Sequence, residues 1–147
     1  HDFLSQVADS SWGIILVGSG SEERAFAERL ELGLNSKNII NTVDRLDLLQ
    51  LAAIASSCDI AVGNDTGVLH LSSLIGTPTI GLSDYDQFDW LDLTMPWFTG
   101  LSAMGKPTKH INSIRGRSAE YLAEISPEQV LETFLALNRR INDKYGE

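Results

Sequence analysis

Asn64, Asp65, Thr66 and Gly67 occupy one short polar turn, with His70 four positions after Thr66, and this set of groups is suited to holding an anion. Asp65 or Thr66 can cap a helix, Thr66 adds a hydroxyl, and Gly67, having no side chain, lets a phosphate approach the backbone. His70 shares a helical face with Thr66 and reaches the same ligand. Singly, these residues have plain structural readings, since Asp and Thr are common caps and an isolated His is commonly a hydrogen-bonded structural residue. Their concentration on one rim is what points to binding.

The elements around the turn are legible. Ile60, Ala61 and Val62 form an apolar run that predicts a strand buried on both faces and broken at Gly63-Asn64. Helical spacing then places Val68, Leu69, Ser72 and Ile75 on one face, and Gly76-Thr77-Pro78 stops the helix. Thr79–Leu82 is the next expected strand. A helix that begins directly after a buried strand aims its free N–H groups, and the positive end of its dipole, at the carboxyl edge of the sheet.

The same alternation runs through the rest of the chain. Phe3, Leu4, Val7 and Ala8 have helical spacing, and Ile14–Val17 is an expected parallel strand ending at Gly18-Ser19-Gly20. Ser21 is the expected cap of a helix with Glu22 and Glu23 in its first turn and Phe26 and Leu30 on its inner face, broken near Gly33. Asn38–Thr42 predicts a further strand, and Asp47 with Gln50 has the form of a capping box opening a helix over Leu48–Ser57. Near the end, Ser126 caps a helix that Pro127 begins, with Val130, Phe134, Leu137 and Ile141 as its buried stripe. The pattern predicts an α/β, Rossmann-like fold: a mostly parallel sheet with helices on both faces, ligands binding at the carboxyl ends of its strands. A Gly-Ser-Gly turn after a strand could admit a ribose or phosphate, although no third Gly completes a dinucleotide fingerprint.

Composition narrows the function classes. A chain of 147 residues with 43% hydrophobic content makes one ordinary domain with a real core. The net charge of −9 argues against nucleic acid as a partner. No apolar stretch is long enough to span a bilayer. Cys58, the single cysteine, can form no internal disulfide and has no Cys or His at metal-ligand spacing, so packing is its expected role. Asp84–Gly100, dense in carboxylates and aromatics, reads as a long loop beside the proposed pocket, and Asp84, Asp86 and Asp89 lack the Gly and terminal Glu of a calcium loop. Lys106, Lys109, His110, Arg115 and Arg117, near short expected strands at Leu101–Met104 and His110–Ile114, read as a solvated edge or as a patch facing an anionic acceptor. Asp65-Thr66-Gly67 is also the triplet of aspartic proteases, but that chemistry needs a second copy and an all-β setting, which this alternation opposes.

The combination Gly63-Asn64-Asp65-Thr66-Gly67, with His70 after it and Gly76-Thr77-Pro78 closing the helix, resembles the donor-binding motif of the heptosyltransferase-like glycosyltransferases, family 9. The turn at Ile14–Gly20, the run Leu48–Ala55 and Ile125–Val130 fall where that family would place them. The resemblance implies the donor half of a GT-B enzyme that moves a sugar, typically heptose from ADP-heptose, onto a lipopolysaccharide or other cell-surface glycan. It implies residues 1–147 as a single nucleotide-sugar-binding domain, a segment of a longer two-domain protein. The donor would contact Asn64, Asp65, Thr66, Gly67 and His70, with Gly18 and Glu22 at the first turn, Glu22 taking the ribose. No metal or other cofactor is implied, the nucleotide-sugar being a substrate. The family's catalytic base lies in the amino-terminal domain, so the resemblance implies no catalytic residue in this chain and no turnover by it alone. A cytoplasmic location follows, at the inner face of the membrane, with peripheral membrane association of the full protein and a glycolipid acceptor reached through the amino-terminal domain. The competing reading is a non-catalytic doubly wound α/β binding or interaction domain that keeps the anion turn.

Overall fold

The computed structural model describes residues 2–8, 12–34, 37–64, 66–83, 98–102 and 125–145. Its contacts divide the chain into two compact units, His1–Leu51 and Ala52–Glu147.

In the first unit, helix α1 (Asp2–Ala8) precedes strand β1 (Ile14–Leu16), helix α2 (Ser21–Leu34) and strand β2 (Ile39–Asn41). β1 and β2 pair in parallel, Ile15 opposite Ile40. Val7, Ala8, Ala27, Leu30 and Val43 are buried in this unit. Two expectations for α2 are corrected. Its inner face is Ala27 and Leu30, whereas Phe26 is 54% exposed, with the Arg29 guanidinium over its ring at 5.8 Å. The helix starts one residue earlier than expected: Arg24 N–H donates to the Gly20 carbonyl at 3.0 Å, making Gly20 the cap. Helix α3 (Leu48–Ser56) opens at the expected capping box, with Asp47 N–H donating to Gln50 Oε1 and Gln50 N–H to Asp47 Oδ1.

In the second unit, strand β3 (Ala61–Asn64), helix α4 (Gly67–Leu74) and strand β4 (Thr79–Ser83) form a parallel strand–helix–strand unit. β4 also pairs in parallel with strand β5 (Phe98–Ser102), so β4 is central in the order β3-β4-β5. Gly63 and Asn64 are part of β3, held by pairing with Gly81 and Leu82. The ladder overrides their reputation as breakers. β5 likewise claims Phe98–Gly100 from the expected loop, and its pairing with β4 is what recruits them. The remainder of that loop, residues 84–97, lies outside the described residues, as do the basic cluster at 106–117 and the strand expected at His110–Ile114.

Helix α4 ends in a Schellman arrangement. Gly76, at φ +92°, donates to the Ser73 carbonyl, and Thr77 N–H reaches back to that of Ser72. The Thr77 hydroxyl is itself buried and donates to the Ala55 carbonyl at 2.7 Å. Leu69, Ser72 and Ser73 are the buried residues of α4, while Ile75 is partly exposed, so the inner face is rotated from the expected one. Val62 is also partly exposed, leaving β3 less enclosed than a strand buried on both faces. Helix α5 (Pro127–Tyr145) is capped by Ser126, whose N–H and hydroxyl exchange hydrogen bonds with Gln129, and it buries Val130, Phe134 and Leu137.

Thr79, at the start of β4, is fully buried, and its hydroxyl has no hydrogen-bond partner among the described residues. A buried hydroxyl that gave up water without a replacement partner is a liability, and Val has nearly the same shape. Thr79→Val is expected to hold or raise stability, by up to about 1 kcal/mol, in urea denaturation.

Candidate functional site

β3 leads directly into α4, which places Asn64, Thr66, Gly67 and His70 at the carboxyl end of β3. Asn64 is the last residue of the strand and is exposed, as are Thr66 and Gly67. Asp65 lies outside the described residues. Thr66 has extended backbone, φ −135° and ψ 162°, and holds the N-cap position, but its side chain makes no capping hydrogen bond. The first intrahelical bond runs from His70 N–H to the Thr66 carbonyl at 3.1 Å, so His70 stands one turn into the helix, half-buried. A Cβ built on Gly67 would meet nothing within 4 Å. The helix therefore presents its positive end with an exposed glycine and a hydroxyl that makes no capping bond, an arrangement matched to an anion.

The β1–α2 turn has a different character. Gly18-Ser19-Gly20 could have offered its N–H groups to a phosphate, but two of them are held by carboxylates of the chain. Ser19 N–H donates to Glu23 Oε2 at 2.7 Å, and Gly20 N–H donates to Asp44 Oδ1 at 2.8 Å. Glu22, the acidic residue singled out from the sequence, is exposed. Its neighbour Glu23 reaches over the turn instead, close enough that a Cβ on Gly18 would stand 2.2 Å from Glu23 Oε2. Only a glycine at position 18 leaves room for that carboxylate. What this turn has to offer a ligand is acceptor oxygen, suited to hydroxyls rather than to phosphate.

Asp44 was not legible as a site residue. It follows β2 at φ +58°, the one described non-glycine residue with positive φ. Besides Gly20 N–H, its carboxylate accepts from Arg24 Nε at 3.0 Å and from Arg24 Nη2, and Asp44 N–H donates to the Gly18 carbonyl at 3.0 Å. The bond from Gly20 N–H, followed by those from Arg24, holds the Asp44 carboxyl below its ordinary value. Because the folded value lies below the unfolded one, this stabilisation is full at neutral pH and disappears as pH falls through the lowered value. Asp44→Asn is therefore expected to lower stability at neutral pH and to narrow its difference from the parent in acid, as read by urea denaturation across that range.

A cleft of about 290 Å³ in the second unit lies elsewhere, lined by Ser56, Cys58, Asp59, Thr77, Pro78 and Ile141 among others. Cys58 and Asp59 precede β3 and Thr77 and Pro78 precede β4, which puts the cleft at the amino ends of these strands, opposite the α4 turn. Burial, then the Asp59 carboxylate, pushes the Cys58 thiol up, as befits a packing residue rather than a nucleophile. Among the described residues, no group of three or more His, Cys, Asp or Glu is placed to hold a metal ion, and no helix is long and apolar enough to cross a membrane.

β3 and α4 meet at this turn within an α/β fold, and comparison with known proteins places the chain in a family. The sequence model of Glycosyltransferase family 9 (heptosyltransferase) matches residues 2–110, and the chain belongs to that family. It is 28% identical over 113 residues to lipopolysaccharide heptosyltransferase 1 of Pseudomonas aeruginosa, an alignment covering 77% of this chain and 28% of that protein. Its fold is similar to that of the solved E. coli ADP-heptose LPS heptosyltransferase II, with TM-score 0.71 and 21% identity over 92% of this chain and 39% of the other. The chain thus spans about three to four tenths of the relatives it matches.

Proposed function

We propose that this chain is the donor-binding part of a GT-B glycosyltransferase that moves a sugar from an ADP-heptose-like nucleotide-sugar to a lipopolysaccharide or other cell-surface glycan. The observation that carries the reading is the N-terminus of α4, where Thr66 makes no cap and Gly67 stands exposed at the carboxyl end of β3, in a chain matched to glycosyltransferase family 9. The helix N–H groups, the Thr66 hydroxyl and His70 receive the donor diphosphate, with Asn64 and Asp65 completing the turn. As the glycosidic bond breaks, negative charge grows on the leaving nucleotide, and the helix dipole stabilises it without a metal ion. The base that activates the acceptor belongs to an amino-terminal domain of the full protein, which also carries the glycolipid acceptor at the inner membrane face.

The test is calorimetric titration of the longest native form of the protein with ADP, UDP and GDP, repeated with Thr66→Val and His70→Ala. Saturable binding of one nucleotide is expected, weakened by each substitution by about ten- to a hundredfold, the usual worth of one hydrogen bond to a charged group. Binding should persist in a metal chelator. If all three nucleotides are ignored, the turn is a helix start alone and the chain is a non-catalytic α/β interaction domain.

A further inference from the structure

We propose that the cleft at the amino ends of β3 and β4 binds a small free alkylammonium ion, its charged head at Asp59 and its chain along Ile75, Pro78 and Ile141. The cleft lies wholly within the second unit, and three observations carry the inference. The first is charge. α3 ends at Ser56 and α4 at Leu74, and Ser56, Ile75 and Gly76, at or just past those ends, line the cleft together with Asp59. The carboxyl end of a helix carries partial negative charge, about half an elementary charge, so two such ends and a carboxylate face one space. Neither helix has a basic residue in its last turn. Among the described residues no Lys or Arg lines the cleft, and none forms an ion pair with Asp59. The field is felt within the chain itself, since the Asp59 carboxylate adds to burial in raising the Cys58 thiol.

The second observation is the character of the walls. Ile75, Pro78 and Ile141 are apolar, and a methylene chain laid against them leaves water, a gain that a bare inorganic cation cannot make. One carboxylate is also too few oxygen ligands for calcium or magnesium. The volume, about 290 Å³, lies near the lower end of the range for small-molecule sites. The third is that the walls are fixed to one another. The Ala55 carbonyl accepts from Cys58 N–H at 3.1 Å and from the buried Thr77 hydroxyl at 2.7 Å, and Thr77 N–H donates to the Ser72 carbonyl at 3.0 Å. The end of α3, the approach to β3 and the turn before β4 are thereby joined through one acceptor. A pre-formed cleft binds more tightly because less order has to be imposed at binding.

Titration of the isotope-labelled, longest native form with butylammonium chloride, followed through its backbone amides, tests this. Saturable shifts centred on Cys58, Asp59, Gly76 and Thr77 are expected, with a Kd of roughly millimolar order for so small a ligand. Butanol, which has the chain without the charge, and sodium chloride, which has a cation without the chain, should each bind at least about tenfold more weakly. Asp59→Asn, a change at an exposed position checked by thermal melting, should weaken butylammonium about tenfold. Shifts that do not saturate or that centre elsewhere, butanol binding as well as butylammonium, or a folded Asp59→Asn that binds as the parent does would each overturn the proposal. So would saturation by Nα-acetyllysine amide without any by butylammonium, which would give the cleft to a lysine side chain of another protein.

Discussion

Gly67→Glu is expected to weaken nucleotide binding by at least about a hundredfold while leaving the protein as stable as the parent or slightly more so. The separation follows from the position. The first residue of α4 has space around it, since a Cβ there meets nothing within 4 Å, and its φ is not in the left-handed region. Replacing Gly in a helix recovers about 0.5–1 kcal/mol of propensity, and a carboxylate in the first turn gains a further 0.3–1 kcal/mol or so from the dipole. The same carboxylate would occupy the place proposed for the donor diphosphate, and like charges a few ångströms apart repel by several kcal/mol at an effective dielectric near 20, roughly 4 kcal/mol at 4 Å. Calorimetry with ADP against a thermal melt separates the two effects. A variant that melts later and still binds ADP normally would remove the diphosphate from this turn.

The second large effect is on stability. Ile80 is fully buried on β4, the central strand of β3-β4-β5, where it pairs with Val62 on one side and Thr99 on the other. Ile80→Ala leaves a cavity in a place that neighbouring strands cannot close, at a cost of about 2–5 kcal/mol. The thermal midpoint should fall by roughly 10 °C. Nucleotide affinity measured well below that midpoint should be nearly unchanged, because Ile80 is buried within the sheet, where it pairs with Val62, two residues short of the end of β3.

Much of the fold was legible because its signals are local. The capping box at Asp47 and Gln50 is written in three residues and appears as read, and Ser126-Pro127 marks the start of α5 in the same way. The passage from β3 to α4 was legible too, since an apolar run, polar residues and a helical stretch follow one another within Ile60–Ile75. Where the reading failed, distant partners decided the outcome. Gly63 and Asn64 look like breakers until β4 pairs with them. Phe98 looks like loop until the same strand recruits it. Phe26 and Ala27 differ by one step of helical phase, and the phase depends on where α2 begins, which Gly20 rather than Ser21 sets. That same phase exchanges Glu22 for Glu23 at the first turn. Asp44 is the extreme case: no neighbouring residue signals its role, because both groups it grips are at least 20 positions earlier in the chain.

The central claim is that the N-terminus of α4 receives the donor diphosphate, and the most direct measurement is the backbone amide spectrum of the isotope-labelled, longest native form during titration with ADP. The account predicts saturable shifts largest at the Gly67, Val68 and Leu69 N–H groups, with inorganic phosphate reproducing their direction more weakly. Saturation with the largest shifts elsewhere and these three amides unmoved would contradict it.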